Sequence, residues 1–305
     1  MTARPPNSLV KFLSAKEAIQ ILQEGKIRWH SPQLSTDPFD LNADSQLAFD
    51  SNQLLTTTLK SVSSMIFSRD NPKGLPNHPL IKAVRRWRAE NRFGSEEEVE
   101  DAMGELLGTI IEQQKEKIKT VILDWQDFIR STRMLSLVEK HTDIFLWERL
   151  AAEHTGVAIR FLCEEDGMIM SSHLEKVKYT DHRSQITTLA EQVGTIIGQT
   201  AVDPQENFLE RLSTRPRTES REREWRCFKQ LDHHQTHPDS PEESWQTDIA
   251  FAPNEVSRLY FGLKTSERDK QELINALKPY KSTKVLTAKI HSNLYSLEFD
   301  NVSLR

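Results

Sequence analysis

The sequence predicts an α+β fold: a mixed, mostly antiparallel sheet built from both ends of the chain, with a long α-helical insertion. Short apolar runs of strand character occur in residues 1–44 and again in residues 134–305. Between them, in residues 45–133, apolar side chains recur at helical spacing instead. We therefore expect residues 1–44 and 134–305 to form a single α+β domain, and residues 45–133 to form a helical insertion in it.

The N-terminal segment predicts a strand, a helix and a second strand. Ser8–Leu13 is a short apolar run with strand character. Ser14 is a helix-capping residue, and Glu17, three positions later, completes the pattern of a capping box. Gly25 is suited to end that helix, because glycine adopts the left-handed conformation of a helix C-cap at little cost. Ile27–Trp29 follows as the second strand.

The insertion predicts at least two amphipathic helices. The first has its apolar face at Leu80, Val84 and Trp87, and the second begins after Ser95. The apolar stripe of the second helix continues at helical spacing over about eight turns. We expect this stripe to be buried mainly by other residues of the insertion rather than by the sheet. The positions that test this expectation are Leu107, Ile111, Ile118 and Ile122.

Strand character returns at Met134 and alternates with helical segments to the end of the chain. The predicted strands are Met134–Val138, Val157–Cys163, Leu174–Tyr179, 220–228, Trp245–Phe251, Val256–Phe261, Lys284–His291 and Tyr295–Phe299. The predicted helices are Asp143–His154, 184–200, 205–213 and Ser266–Leu277. This order of elements predicts a single sheet that contains the N-terminal strand as well as the later ones.

The composition indicates a globular protein with a charged surface and no membrane span. Hydrophobic residues make up 37% of the chain and charged residues 28%, which are ordinary proportions for a folded domain. No apolar run reaches the roughly 18 residues of a spanning helix, and the N-terminus lacks the apolar centre of a signal peptide. The two cysteines, Cys163 and Cys227, lie in apolar runs and predict buried thiols in a reducing compartment. We expect a cytoplasmic protein without membrane association.

Nucleic acid and metal ions are weakly indicated as partners. The net charge of −5 argues against a general nucleic-acid binder. Four arginines, Arg85, Arg86, Arg88 and Arg92, surround Trp87 and could form a local basic patch, but an acidic run follows at 96–101. His233, His234 and His237 lie in a polar segment that predicts a solvated loop, so we expect no metal site.

The run Ser220–Arg226 alternates carboxylates and guanidiniums before it enters an apolar segment. In an extended chain, Glu222, Glu224 and Arg226 share one face. Two acids and a base are costly to bury in a core and useful in a cleft, so this run predicts the candidate site. A structural ladder of ion pairs is the alternative interpretation of the same residues.

Four segments together resemble an uncharacterised family, domain-of-unknown-function family 2971. They are LVKFLSAKEAIQILQEGKIRWHSPQLSTDPFD (Leu9–Asp40), LWERLAAEHTGVAIRF (Leu146–Phe161), EREWR (Glu222–Arg226) and LYFGLKTSERDKQELINAL (Leu259–Leu277). The resemblance covers both ends of the chain and omits the helical insertion. It implies a shared fold and carries no established activity.

The order of the candidate residues also resembles the layout of ADP-ribosyltransferases. A basic residue, Lys11, lies on the first strand, a polar residue, Ser31, follows the second strand, and a Glu-x-Glu pair lies later in the chain. The resemblance implies NAD as a substrate, with Glu224 as the catalytic carboxylate and Glu222 assisting it. It further implies that Lys11, Ser31 and Arg226 line the nucleotide cleft.

Two other functions compete with this NAD-dependent enzyme. One is a non-enzymatic interaction or effector module of a bacterial stress or phage-defence system, which would bind a protein partner through the helical insertion. The other is a nucleic-acid-processing protein that uses the arginine-rich helix. We expect a small-molecule nucleotide or a protein as the partner, with nucleic acid as the weaker candidate.

Overall fold

A computed structural model describes residues 4–35, 47–199, 205, 208–231 and 245–302. Two predicted segments, the turn at 37–40 and the polar loop at 232–243 with its three histidines, lie outside the described residues. Contacts divide the chain into two compact units. The sheet unit comprises residues 1–41, 129–183 and 212–305, and the helical unit comprises residues 42–128 and 184–211.

The sheet unit has a mixed, mostly antiparallel sheet, as the sequence predicts. The strands of the chain are β1 Ser8–Leu13, β2 Lys26–His30, β3 Thr132–Val138, β4 Val157–Leu162, β5 His173–Lys176, β6 Lys178–Thr180, β7 Thr214–Pro216, β8 Glu224–Gln230, β9 Gln246–Ala250, β10 Val256–Phe261, β11 Lys284–Ile290 and β12 Leu297–Asn301. Ten of them form one sheet with the order β12-β11-β10-β4-β1-β3-β2-β9, in which β8 pairs with β3 and β5. The N-terminal strand and the charged strand β8 therefore belong to one sheet, joined through β3, which confirms that prediction.

Three helices cover the two faces of this sheet. Helices α1 (Ala15–Glu24) and α8 (Glu267–Ala276) pack on an aliphatic face that includes Leu9, Ile159 and Leu259. The predicted capping box of α1 is present, and Gly25 ends the helix in the left-handed conformation with φ of 63°. Helix α5 (Ile144–Leu150) covers the opposite face, which we call the α5 face.

The α5 face carries a smaller core with more aromatic and polar character. Its buried side chains come from β1, β3, β4, β10, β12, α5 and the residue that follows α5. Phe12 meets Trp147 edge to face at 5.1 Å, and the indole Nε1 of Trp147 donates to the carbonyl of His141 at 2.6 Å. Both regions analysed below involve side chains on this face.

The helical unit contains α2 (Ser51–Phe67), α3 (Pro79–Ala89), most of α4 (Glu96–Ser131), α6 (Leu189–Ile196) and most of α7 (Phe208–Leu212). The apolar stripe of α4 is buried within this unit: Leu107, Ile111 and Ile118 are buried and Ile122 is partly buried, all in a cluster with residues of α2, α3 and α6. The expectation that the stripe packs within the helices is confirmed. The cluster also contains side chains of 184–211, a segment that the sequence assigns to the other domain. They are Val193, Ile196 and Ile197.

Within the described residues, no helix combines the length and the apolar character that crossing a bilayer requires.

Gly156 supports a test of the packing between α5 and the sheet. A Cβ at this position would lie 2.2 Å from the carbonyl oxygen of Leu13 and 2.9 Å from that of Ala151. Because both contacts are with backbone atoms, they cannot be relieved by a rotamer change. We expect Gly156→Ala to lower the free energy of unfolding by about 3 kcal/mol, the upper end of ordinary overpacking costs.

The matched control is Gly108→Ala in α4, where a Cβ would meet no atom within 4 Å. Since glycine is a poor helix former, this change is expected to raise the free energy of unfolding by up to about 1 kcal/mol. Thermal unfolding followed by circular dichroism measures both variants. A similar melting temperature for the two would contradict the packing seen around Gly156.

Candidate functional site

Two charged side chains, Glu224 and Arg226, lie on the interior strand β8, which pairs with β3 on one side and β5 on the other. Both side chains point to the same side of the strand and are almost fully buried, with 2% and 1% exposure. The guanidinium of Arg226 donates twice to the carboxylate of Glu224, at 2.9 Å from Nε and 3.3 Å from Nη2. It also donates from Nη1 to the carbonyl of Leu212.

The strand predicted for 220–228 begins four residues later, at Glu224. Residues Arg217–Glu222 form a 3₁₀ turn, and Arg223 has a positive φ of 48°. Glu222 therefore reaches the site from this turn and not by alternation along a strand. The predicted proximity of Glu222 to Glu224 is correct, while its predicted cause, a shared strand face, is wrong.

Two further arginines complete a cluster with these residues. Arg215 donates from Nη1 to Glu222 at 3.0 Å and to Glu224 at 3.1 Å, and it pairs with Glu219. Arg149 of α5 donates to Glu222 at 2.9 Å and to Glu219 at 3.2 Å. We call these six residues the Glu–Arg cluster: Arg149, Arg215, Arg226, Glu219, Glu222 and Glu224.

Sequence reasoning missed Arg149 and Arg215. Arg149 lies within one of the family-like segments, and Arg215 lies in a charged run that contains several arginines. No local pattern marks which arginine of such a run will point inward, because that choice depends on contacts between distant segments.

The two central carboxylates have opposite pKa shifts. Burial raises the pKa of Glu222 above its ordinary value of 4.5, since the attraction of Arg215 and Arg149 is opposed by the charges of Glu224 and Glu219. Burial also opposes ionisation of Glu224, but the charge and hydrogen bonds of Arg226, together with Arg215, lower its pKa overall. The pair therefore combines a carboxylate that is held ionised with a carboxyl that retains its proton more readily.

Lys11 lies beside this pair. Its ammonium donates to the carbonyl of Ser136 at 3.0 Å, and the side chain is half-buried. Burial lowers the pKa of Lys11, while the negative charge of Glu224 acts in the opposite direction. A lysine in this environment loses its proton more readily than a lysine at the surface.

Two cavities adjoin at Lys11. The first has a volume of about 290 Å³ and is lined by Lys11, Ser136, Arg149, Arg215, Glu222, Glu224 and Arg226, among others. The second has a volume of about 400 Å³, and its polar lining includes Glu17, Arg28, His30, Gln246 and Asp248. Lys11, Phe12 and Leu150 line both cavities.

Ser31 is the one predicted site residue that lines neither of these two cavities. Its buried hydroxyl donates to the carbonyl of Ile129 at 3.2 Å and accepts from the amide of Gln33 at 3.3 Å. The bond from Gln33 caps the short 3₁₀ turn Pro32–Leu34. The structure thus brings Lys11, Glu222, Glu224 and Arg226 together and assigns Ser31 a capping contact.

Two side chains of the arginine-rich helix α3 form contacts with nearby parts of the chain. Arg88 donates to the carbonyls of Ser68 and Asp70, which follow the end of α2, and Arg86 pairs with Glu90 at 2.8 Å. These two guanidiniums have structural partners. Among the described residues, no group of three or more His, Cys, Asp or Glu side chains is arranged to hold a metal ion.

Comparison with known proteins yields no matching family model, no matching curated sequence and no matching solved structure.

The opposite pKa shifts predict opposite effects of two isosteric substitutions. Because the folded-state pKa of Glu224 is lowered, its ionisation stabilises the fold above pH 4.5, and this contribution disappears as the pH falls through the folded-state pKa. Glu224→Gln should therefore cost roughly 3–5 kcal/mol of unfolding free energy at pH 7, as when one partner of a buried pair is removed. The cost should shrink as the pH falls below 4.5 and through the folded-state pKa of Glu224.

Glu222→Gln is the matched control. The folded-state pKa of Glu222 is raised, so its protonated form is the stabilising one, and this contribution is lost as the pH rises through that pKa. A neutral glutamine should consequently preserve the stability at pH 7. Urea unfolding at pH 4 and pH 7 measures both variants, and an equal loss from both at pH 7 would refute the assignment.

Proposed function

We propose that the sheet unit is an ADP-ribosyltransferase-like enzyme that consumes NAD at the Glu–Arg cluster. The observation that carries the proposal is the pair of carboxylates, Glu222 and Glu224, that line one cavity and have opposite pKa shifts. Enzymes that cleave a glycosidic bond use one ionised carboxylate and one proton-transferring carboxyl. The N-glycosidic bond between nicotinamide and ribose is of this chemical type.

In the proposed reaction, the bond between the ribose C1 and the nicotinamide nitrogen breaks, and nicotinamide leaves as a neutral molecule. Positive charge then develops on the ribose, and the ionised Glu224 stabilises it electrostatically. The acceptor hydroxyl forms the new bond to C1 and gives its proton to Glu222. A carboxylate with a raised pKa is the better proton acceptor of the two.

Glu222 also has free acceptor capacity for a ligand. Each of its carboxylate oxygens accepts from one guanidinium, of Arg149 or of Arg215. A carboxylate offers about four acceptor positions, so two remain for a hydroxyl of a substrate. The oxygens of Glu224 are more heavily engaged by Arg226 and Arg215, which suits a role in electrostatic stabilisation.

The size and charge of the two cavities support a dinucleotide. A volume of about 290 Å³ accommodates a ribose with its base, and the second cavity of about 400 Å³ adds room for the other nucleoside. Lys11, where the cavities adjoin, would lie next to the diphosphate that joins the two halves.

Incubation of the protein with NAD, followed by chromatographic measurement of nicotinamide release, tests the proposal. We expect Glu222→Gln to slow the release by two or more orders of magnitude without loss of fold, since general acid–base catalysis contributes about 10²–10⁴-fold. Glu224→Gln should show a similar loss when assayed at a temperature at which it is folded. Glu272→Gln on α8, which lines neither cavity, should retain the wild-type rate.

The proposed enzyme activity is rejected if the wild-type protein releases no nicotinamide with any acceptor. It is also rejected if the Glu222→Gln variant has full activity. The second candidate is then an interaction module of a bacterial stress or phage-defence system.

A further inference from the structure

Three cationic side chains form a row across neighbouring strands of the sheet. Arg160 of β4 is directly opposite Arg258 of β10, and Arg258 is in register with Lys284 of β11. Residues in register on adjacent strands point to the same face. The row therefore lies on the α5 face, where Ala158, Tyr260 and Leu286, two positions along each strand, belong to the α5-face core. We call Arg160, Arg258 and Lys284 the cation row.

A β-bulge creates this alignment. Val256 pairs with Phe161, but the register then shifts by one residue so that Arg258 pairs with Arg160. Without the shift, Arg258 would be opposite Ile159 and would point into the aliphatic core under α1 and α8. Bulges commonly redirect a side chain in this way, often next to functional sites. Here the redirected residue adds a second guanidinium beside the first.

The cation row has no compensating carboxylate. Like charges that are directly opposite in a sheet are destabilising, and charged side chains near a core are usually paired. In the part of the chain that the structure describes, no Asp or Glu forms an ion pair with Arg160, Arg258 or Lys284. The Glu–Arg cluster is different in this respect, because each of its arginines pairs with a glutamate.

Neutral side chains hold Arg160 in position and leave part of it unsatisfied. Its Nη2 lies 2.7 Å from Nδ1 of His141, and its guanidinium lies 5.6 Å from the ring centroid of Tyr260. Its buried Nε has no hydrogen-bond partner among the described residues. Arg258 approaches the same tyrosine, with Nη1 3.5 Å from the hydroxyl. A buried donor without a partner is rare in a folded protein.

His141 contributes no negative charge and no second acceptor. An arginine only donates, so Nδ1 of His141 accepts the bond and the neutral ring carries its proton on Nε2. Burial and the charges of Arg160 and Arg258 lower the pKa of His141 to about 4. The ring stacks on Tyr260 at 4.2 Å, which fixes its position. At neutral pH His141 therefore does not offset the positive charges of the cation row.

We propose that the cation row is an oxyanion site that binds a phosphate group, separate from the Glu–Arg cluster. The negative charge of a phosphate group offsets the repulsion between the two half-buried guanidiniums. The planar fork of arginine matches phosphate geometry, and such charge-assisted bonds are stronger than neutral ones. None of the three cations lines either cavity of the candidate NAD site.

Thermal shift titrations test the site with inorganic phosphate and with AMP as probes, against acetate and chloride at the same ionic strength. A ligand that binds only the folded state raises the melting temperature in a saturable manner. We expect a saturable rise with phosphate or AMP and none with acetate or chloride. A tighter response to AMP that is weakened in Arg258→Gln identifies a nucleotide phosphate as the ligand of the cation row. A response to inorganic phosphate of equal or greater strength, weakened in the same variant, identifies the free ion.

Arg258→Gln should weaken the response by at least about tenfold, because one charge-assisted contact is lost. In chloride alone its melting temperature should equal or exceed that of the wild type, since a like-charge pair has been relieved. Lys284→Gln, at an exposed position, provides a variant that retains its fold and should also bind more weakly. Lys281→Gln, a nearby exposed cation outside the row, should bind as the wild type does.

The proposal is overturned if neither phosphate nor AMP gives a saturable response, or if acetate acts equally. It is also overturned if Arg258→Gln and Lys284→Gln respond like the wild type, or if Arg258→Gln is less stable than the wild type in chloride. Nicotinamide release is not a readout of this experiment, so failure of the NAD proposal leaves its outcome unaffected.

Discussion

The buried pair of Glu224 and Arg226 is the interaction on which the candidate site depends. Both side chains are on an interior strand and are removed from water, which is expensive for two full charges. The bidentate geometry and the additional donors recover part of that cost. Arg215 and Glu222 follow from this pair, because the second oxygen of Glu224 attracts Arg215, and Arg215 in turn attracts Glu222.

The same chain of contacts makes the two central carboxylates different from one another. Three carboxylates form ion pairs with three guanidiniums within a small volume. The electrostatic environments of the carboxylates are unequal. Glu224 accepts two hydrogen bonds from Arg226 and one from Arg215, whereas the negative charges of Glu219 and Glu224 both act on Glu222. A symmetric arrangement would give two equivalent acids, while this one gives two acids with different proton affinities, as a reaction that both stabilises charge and moves a proton requires.

The two charged regions of the α5 face differ in how their charges are balanced. The Glu–Arg cluster contains its own counterions, so its charges balance without a ligand. A ligand would bind through the hydrogen-bond positions that the cluster leaves available. The cation row contains only positive charges and is held in place by a stack of neutral rings. The first arrangement suits catalysis on a neutral or internally balanced group, and the second suits capture of an anion.

Elements with local signals could be predicted from the amino-acid sequence. The capping box of Ser14 and Glu17 and the left-handed Gly25 bound α1 as predicted, because these hydrogen bonds join residues close in the chain. The alternation of strands and the helical spacing of α4 likewise predicted the α+β class and the joining of both ends in one sheet. The run from Glu222 to Arg226 identified two of the three glutamates of the Glu–Arg cluster.

Which distant side chains meet could not be predicted from the sequence, because it depends on the tertiary structure. Arg149 lies on α5 and Arg215 on β7, and both reach the Glu–Arg cluster. Ser31 caps a 3₁₀ turn and lines neither cavity. A one-residue bulge placed Arg258 opposite Arg160, although nothing in the local sequence requires that register. The physical reason is that periodicity and capping encode backbone conformation over a few residues, whereas pairing of charges depends on the register between strands far apart in the chain.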